Sequence, residues 1–271
     1  MEVLSQAEIK ERFPHVDAQR VSGGTFCGID GFIKDPASIA LTVSEHLEER
    51  GVIVCKKTTV FDIQPEDGAI VRVRTSLGDI TTTKVVVCAG AWSGPLAVSV
   101  GTYLDVLPFP RQLTFTSSFT GIARESCPMT ITPTGAYIRP NRDHFYLGYA
   151  PPNTQPSFRP RYDESLQWQT VEMLAEYMPV LADAEIRGGD CGLYEVSMDH
   201  NAIIGDDPQV PGLYYLTGFS GHGIMHAPGA ALLLAELIVY GQVRSLSPEM
   251  FKGLSAERIS SRIYFPESAV I

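Results

Sequence analysis

The sequence predicts a mixed chain, part α/β and part α+β, on three observations. Near the start, a strand, a helix and a rapid succession of strands end in the wholly apolar Val85–Cys88. In the middle, short stretches alternate apolar and polar residues. Toward the end, an apolar strand runs through a glycine-rich turn into a long apolar helix. The first and last patterns suit a mainly parallel sheet with a β-meander crossover, and the middle one suits an antiparallel sheet. The chain then divides into residues 1–100, 101–190 and 191–271, the outer two forming one unit into which the middle one is inserted. No internal repeat is present.

Met1–Pro14 reads as a short helix closed by proline, and Val21–Gly28 as a strand. Asp35-Pro36 places a capping residue before a proline at the first helical position. Ile39, Ala40, Val43 and Leu47 follow at helical spacing up to Gly51, which stops the helix. Strands are predicted over Val52–Cys55, Thr58–Ile63, Ala69–Thr75 and Asp79–Cys88, then over Gln112–Ser117, Ala136–Arg139 and Phe145–Gly148, with Arg142-Asp143 as a turn. Pro151–Pro160 reads as a loop. Asp163 caps a helix carrying Leu166, Val171, Leu174, Ala175 and Met178 that Pro179 ends. Ile186–Val196 is a strand. The last strand, at Tyr214–Thr217, leads through the turn to a helix beginning near Ala227.

Composition narrows the function classes. A net charge of −10 and a pI near 5.1 oppose binding to a phosphate backbone, which requires clustered Lys and Arg. The longest apolar stretch, in the last helix, reads as about ten residues, too short for a membrane span. No targeting segment is visible at the N-terminus. The five cysteines are odd in number and widely spaced, without a C-x-x-C, which suggests buried free thiols in a reducing compartment.

The turn Gly218-Phe219-Ser220-Gly221-His222-Gly223-Ile224 is the strongest chemical signal. Its glycines remove side chains where a helix N-terminus exposes unpaired N–H groups, so a flat or anionic ligand could approach the backbone. A tight strand-to-helix connection would use the same glycines. The turn nearly matches G-x-S-x-G, with Ser220 as nucleophile, but His222 stands where the second glycine belongs. His222 and His226 are spaced like a metal pair, yet no third ligand accompanies them, and no metal is expected.

With Val85–Ser93 and with Gly192–Glu195 running on to Asp199–Gly205, this turn resembles the FAD-dependent amino-acid oxidoreductases of the D-amino-acid oxidase superfamily. Sarcosine oxidase, dimethylglycine dehydrogenase and the mitochondrial FAD-dependent oxidoreductase domain proteins are the nearest types. The resemblance implies a Rossmann-like FAD-binding domain interleaved with an antiparallel substrate domain. It also implies hydride transfer from a carbon beside nitrogen to noncovalent FAD, the substrate being a small amine or amino acid like sarcosine, glycine or proline. Family members open with a strand, a G-x-G-x-x-G turn and a helix around the pyrophosphate. No G-x-G-x-x-G occurs in these 271 residues, and Met1–Pro14 resembles the segment that follows the first third of the family's chain. The FAD-binding domain is therefore expected to be incomplete. A shortened chain, a split enzyme whose second subunit supplies the missing unit and a degenerate relative are the three explanations, in that order.

By the resemblance, Ala89, Gly90 and Trp92 would pass under the cofactor, Gly218–Ile224 would lie against the flavin, and the backbone of Val60 would contact the adenine. Packing accounts for Val60 and Trp92 as well. Tyr194 aligns with a substrate-facing position, and a purely structural tyrosine is the alternative. Arg139, on a predicted substrate-domain strand, is the best remaining cation for a substrate carboxylate by bidentate pairing, with a surface or structural role as the alternative. His222 completes the catalytic set. Two departures stand out: Met225 replaces the lysine of sarcosine oxidases, and Gly192 stands where a cysteine carries covalent flavin in the monomeric ones, with Cys191 one place away. The tail from Arg262 to Ile271 resembles the mitochondrial domain proteins linked to respiratory-complex assembly. That suggests a noncatalytic or assembly role as the alternative. The expected location is the cytoplasm, with the mitochondrial matrix as the alternative if the missing N-terminus carries a transit peptide.

Overall fold

The computed structural model describes residues 1–66 and 69–267. The chain opens with an antiparallel pair, β1 (Glu2–Leu4) and β2 (Gly24–Phe26), around the short helix α1 (Gln6–Arg12). Ser5 and Glu8 form a reciprocal cap at the start of α1, which satisfies two end groups at once. The expected strand over Val21–Gly28 shrinks to three residues because β1 offers no more partners. Helix α2 (Pro36–Glu49) starts at its proline as expected, although the Asp35 side chain makes no capping bond. Its apolar residues Ile39, Val43 and Leu47 are exposed, and no residue of the helix is buried.

Val52–Cys55, predicted as a strand, pairs with nothing among the described residues, and Ile53 is 88% exposed. A strand without a neighbour has no ladder to form. Beyond it, β3 (Val60–Glu66), β4 (Ala69–Thr75) and β5 (Gly78–Thr81) form an antiparallel meander. The single strand expected over Asp79–Cys88 is divided, because β5 pairs with β4 while β6 (Val85–Val87) joins a different sheet. A short helix, α3 (Ser93–Ser99), follows the turn after β6.

The middle of the chain builds a five-stranded antiparallel sheet from β7 (Val106–Thr116), β8 (Thr130–Ile131), β9 (Tyr137–Asn141), β10 (His144–Gly148) and, after helix α4 (Glu164–Ala175), β11 (Ile186–Ser197), in the order β11-β7-β10-β9-β8. Asp163 caps α4, accepting from the N–H groups of Ser165 and Leu166. One face of the sheet packs Ile138, Phe145 and Leu147 against Val171, Leu174 and Met178. Side chains alternate across a strand, so the other face presents Arg111, Tyr137, Arg139 and Tyr146.

The chain then returns through β12 (Ile203–Asp206) and β13 (Leu213–Thr217) to helix α5 (Gly223–Tyr240), followed by α6 (Pro248–Lys252) and α7 (Glu257–Ser260). β13 lies parallel to β6 and antiparallel to β12. The parallel content of this sheet is thus one strand pair, less than the sequence pattern suggested. Helix α5 begins at Gly223, four residues before the expected start, and carries Pro228 inside it. At 18 residues with a mean hydropathy of 1.5 it is long and apolar enough to cross a membrane by length and composition, which corrects the shorter estimate. One side of it packs through Ala230 and Leu234 onto Phe219, Ile204 and Ala202. Buried Glu236 accepts from the backbone N–H groups of Arg244 and Ser245. All five cysteines are free, but only Cys127 is buried and Cys55 and Cys88 are exposed.

The C-terminal segment is anchored by one buried ion pair. Arg258 grips Asp199 bidentately, Nε to Oδ2 at 2.9 Å and Nη2 to Oδ1 at 2.9 Å, with both side chains at most 1% exposed. Burial works against the Asp199 carboxylate, but the bonds and charge of Arg258 outweigh it and hold the group below the usual carboxylate range. The tail follows this anchor as far as Glu267, and 268–271 lie outside the described residues. Arg258→Met is expected to cost about 3–5 kcal/mol in a urea titration by leaving Asp199 buried and unpaired. Adding Asp199→Asn to that variant should recover part of the loss.

Candidate active site

Two turns meet at the carboxyl ends of the parallel strands β6 and β13, the end at which open α/β sheets hold their ligands. After β6 the chain passes Ala89 and Gly90, the latter at φ +54°, into a single helical turn ending at Trp92. After β13 it passes Gly218 at +73°, Ser220 at +53° and Gly221 at +100° into α5. Ser220 is the only non-glycine of these in the left-handed region. Its fully buried hydroxyl donates to the Gly218 carbonyl and accepts from the Ser197 N–H, which offsets the cost of that backbone conformation.

Glu195 ties the turns together. Its carboxylate accepts from the Thr217 hydroxyl at 3.0 Å and from the Phe219 N–H at 3.4 Å, and Thr217 meets the Ser93 hydroxyl across the strand pair at 2.9 Å. A side chain at Gly90 would lie 3.2 Å from the same carboxylate. Burial raises the Glu195 pKa, opposed by its bonds to Thr217 and to the backbone of Phe219 and Gly218. Glu195 has no role among the expectations from sequence, where a carboxylate beside the substrate-facing tyrosine is the signal for one.

A pocket of about 270 Å³ opens on the exposed face of the five-stranded sheet, lined among others by Arg111, Tyr137, Tyr149, Cys191 and Tyr194. Tyr194 belongs to both places. Its ring lies against Gly221, where a Cβ would come within 2.6 Å of it, and the Arg111 guanidinium stands 5.5 Å from its centroid. Gly148 plays the same part for Tyr137, whose ring lies flat over it, 2.3 Å from where a Cβ would be. Burial is the main influence on three of these groups: it lowers the Arg111 pKa and raises those of Tyr137 and Tyr194. The tyrosines are therefore neutral hydrogen-bond donors. Arg111 Nε is buried without a partner, and among the described residues the guanidinium pairs with no carboxylate.

The structure brings Tyr194, Ala89, Gly90 and Gly218–Ile224 to this junction, with some changes of role. Gly221 makes room for the Tyr194 ring, so that glycine is accounted for by protein packing. The Phe219 side chain is buried in the core beneath α5, leaving only its backbone at the turn. The Ser220 hydroxyl is engaged within the turn and, among the described residues, bonds to Ser197 and Gly218 and to no base. His222 precedes α5 and stacks on His226, with ring centroids 5.6 Å apart. Trp92 and Ile224 are each 56% exposed, Trp92 lying beside Phe158. Val60 opens β3, in the meander sheet and not in the sheet that carries the turns. Arg139 stands on the same face as Tyr137 but outside the pocket lining, while Arg111, which sequence reasoning passed over, lies within it.

The start of α5 suits an electron-rich ring. No side chain caps it, no acidic residue occupies its first turn, and Ile224 and Met225 beside it are exposed. Its positive end is thus open toward solvent. Glu195→Gln keeps an acceptor for Thr217 and removes the titration. Because folding raises the Glu195 pKa, the native state binds this proton more tightly than the unfolded chain does, so the contribution of this group to stability is lost as pH rises above 4.5. Between roughly pH 4 and 7, urea midpoints of the wild type should therefore decline relative to those of Glu195→Gln. Identical slopes would show that Glu195 does not titrate in this way.

The sequence pattern of the DAO family, described as FAD dependent oxidoreductase, matches residues 1–237. The bovine FAD-dependent oxidoreductase domain-containing protein 1 is 26% identical over an alignment covering 98% of this chain and 60% of that protein. Mouse mitochondrial sarcosine dehydrogenase is 27% identical over 89% of this chain and 27% of its own length. The chain thus spans 60% or less of these two curated relatives. Among solved structures, L-proline dehydrogenase from P. horikoshii superposes with a TM-score of 0.87 at 23% identity, covering 97% of this chain and 70% of that one. Glycine oxidase from Geobacillus kaustophilus gives 0.79 at 21% identity, covering 92% and 65%. A match over most of its length, together with this fold, places the chain in the DAO family of FAD dependent oxidoreductases.

Proposed function

We propose that the protein oxidises the C–N bond of a small amino acid or secondary or tertiary amine, of the sarcosine, glycine or proline kind, with noncovalently held FAD as its redox group. The observation that carries this reading is Tyr194, which touches the βα turn on one side and stands over the cation of the pocket on the other. Family membership and relatives named for sarcosine and glycine support it.

FAD, when bound, supplies the hydride acceptor. The open start of α5, with the backbone around Gly90, would hold its pyrimidine end, where the helix dipole favours negative charge. Arg111 would take the substrate carboxylate, since its buried Nε has no partner and a guanidinium satisfies a carboxylate in two parallel bonds. The neutral hydroxyls of Tyr137 and Tyr194 would donate to the same group. Cys191 is a poor candidate for a flavin thioether, because burial and the neighbouring Asp190 charge raise its pKa. The phosphates and adenosine would be held by a dinucleotide-binding unit from elsewhere in a longer chain or from a second subunit, covering the exposed apolar faces of α2 and α5. The free cysteines suit the cytoplasm or the mitochondrial matrix.

The FAD-loaded protein, mixed anaerobically with sarcosine, glycine or proline, should lose its oxidised-flavin absorbance with at least one of them. Bleaching by none would reject the enzymatic reading in favour of a flavoprotein with an assembly role. Arg111→Leu should raise KM for the active substrate about 10- to 100-fold, with a much smaller change in kcat. An unchanged KM would remove Arg111 from the substrate site.

A further inference from the structure

We propose that the exposed face of the five-stranded sheet holds a second anion-binding subsite centred on Arg139, so that among small amino acids the site favours one bearing a second carboxylate. This inference rests on the reading of the pocket just given and adds the class of side chain the pocket selects.

The register of the sheet places the two arginines. Arg139 on β9 lies opposite Tyr146 on β10, which lies opposite Phe115 on β7. Arg111 stands four residues before Phe115 on β7, on the same face. Two strand spacings across and four residues along put their Cα atoms about 16 Å apart. Tyr137, one row from Arg139, lies between them, and both guanidiniums favour its ionised form. A ligand held at Arg111 and passing Tyr137 therefore has Arg139 as the next cation along this face.

The chemistry at the second place is that of a cation awaiting an anion. The Arg139 guanidinium lies 4.5 Å from the Tyr146 ring centroid and 5.5 Å from that of Phe32. Aromatic faces orient the cation without neutralising it. Its Nη1 is buried and has no hydrogen-bond partner. Two residues along the same face, the Asn141 Oδ1 is also buried and unpartnered, while its amide nitrogen donates to the Tyr146 hydroxyl at 2.7 Å. A further cation, Arg187, donates to His144 Nε2 at 3.0 Å beside Phe115. The nearby carboxylate, Asp143, is engaged by His144 Nδ1 at 3.1 Å. Among the described residues, neither Arg139 nor Arg187 forms an ion pair. A buried guanidinium atom without a partner is costly, and a carboxylate is the group that satisfies it best. A carboxamide is the competing ligand, since it could also donate to Asn141.

Calorimetric titration of the FAD-loaded protein with glutamate, glutamine and glycine separates these cases without relying on turnover. Glutamate should bind about tenfold or more tighter than glutamine, its neutral isostere. Arg139→Gln should remove most of that preference and weaken glutamate far more than glycine, and Arg139→Lys should restore part of it. Equal affinities for glutamate and glutamine in the wild type would overturn the subsite. So would a variant in which glutamate and glycine weaken alike, because Arg139 would then belong to the first carboxylate. If glycine binds and glutamate gains nothing, this inference alone fails. If neither binds, and sarcosine and proline do not bind either, the proposed function fails with it.

Discussion

The long ladder between β7 and β11 is the constraint on which the rest of the site depends. It pairs the strands from Val106 with Ser197 to Thr116 with Ile186, with one irregularity near Ile186. Successive residues of a strand point to opposite faces, so Tyr194 and Glu195 leave β11 in opposite directions. Tyr194 meets Gly221 and faces the pocket, whereas Glu195 accepts from Thr217 and Phe219. The turn before α5 is thereby held by adjacent residues of one strand, and Val196 continues the contact as a bridge to Phe219. A shift of β11 by one residue would exchange the two side chains and destroy both contacts.

This arrangement also sets the electrostatics. The sheet face brings a desolvated guanidinium and neutral phenols to one side of the junction, and the uncapped start of α5 brings a positive dipole to the other. Both favour negative charge where the turn and the pocket meet. The acid at the junction, Glu195, has its pKa raised by burial, and its oxygens are taken up by the Thr217 hydroxyl and the Phe219 N–H of the turn.

Local chemistry was legible in the sequence. The Asp163 cap of α4 and the return strand Ile186–Val196 follow from residue type and spacing, and the structure has them, whereas Asp35 precedes α2 without a capping bond. Relations across the chain were less legible. Arg111 sits between prolines and aromatics that say nothing about direction; only the pairing of Arg111 with Gly192 and of Tyr194 with Phe109 places it beside the tyrosine. The purpose of Gly221 was misread for the same reason. Sequence shows that a side chain is missing there, but not that a ring from β11, 27 positions earlier, takes the space. The early start of α5 escaped because Pro228 suggests a helix beginning, although a proline in the second turn removes only one bond.

The same pattern reading applies to the helices that the chain leaves uncovered. Val43 of α2 is 52% exposed, and Leu232 and Val239 of α5 are 52% and 68% exposed. A helix apolar all round is characteristically a buried one, in a protein core or in a bilayer. On α5 one side is already occupied. Ala230 and Leu234 already pack on a β-sheet, Pro228 interrupts the helix, and Glu236 caps the segment that follows it. Its remaining faces, with the equally open α2, are the surface that the proposed covering unit would meet. The apolar area and the open dipole at the start of α5 therefore belong to one surface, on which a covering unit and a cofactor would be bound together.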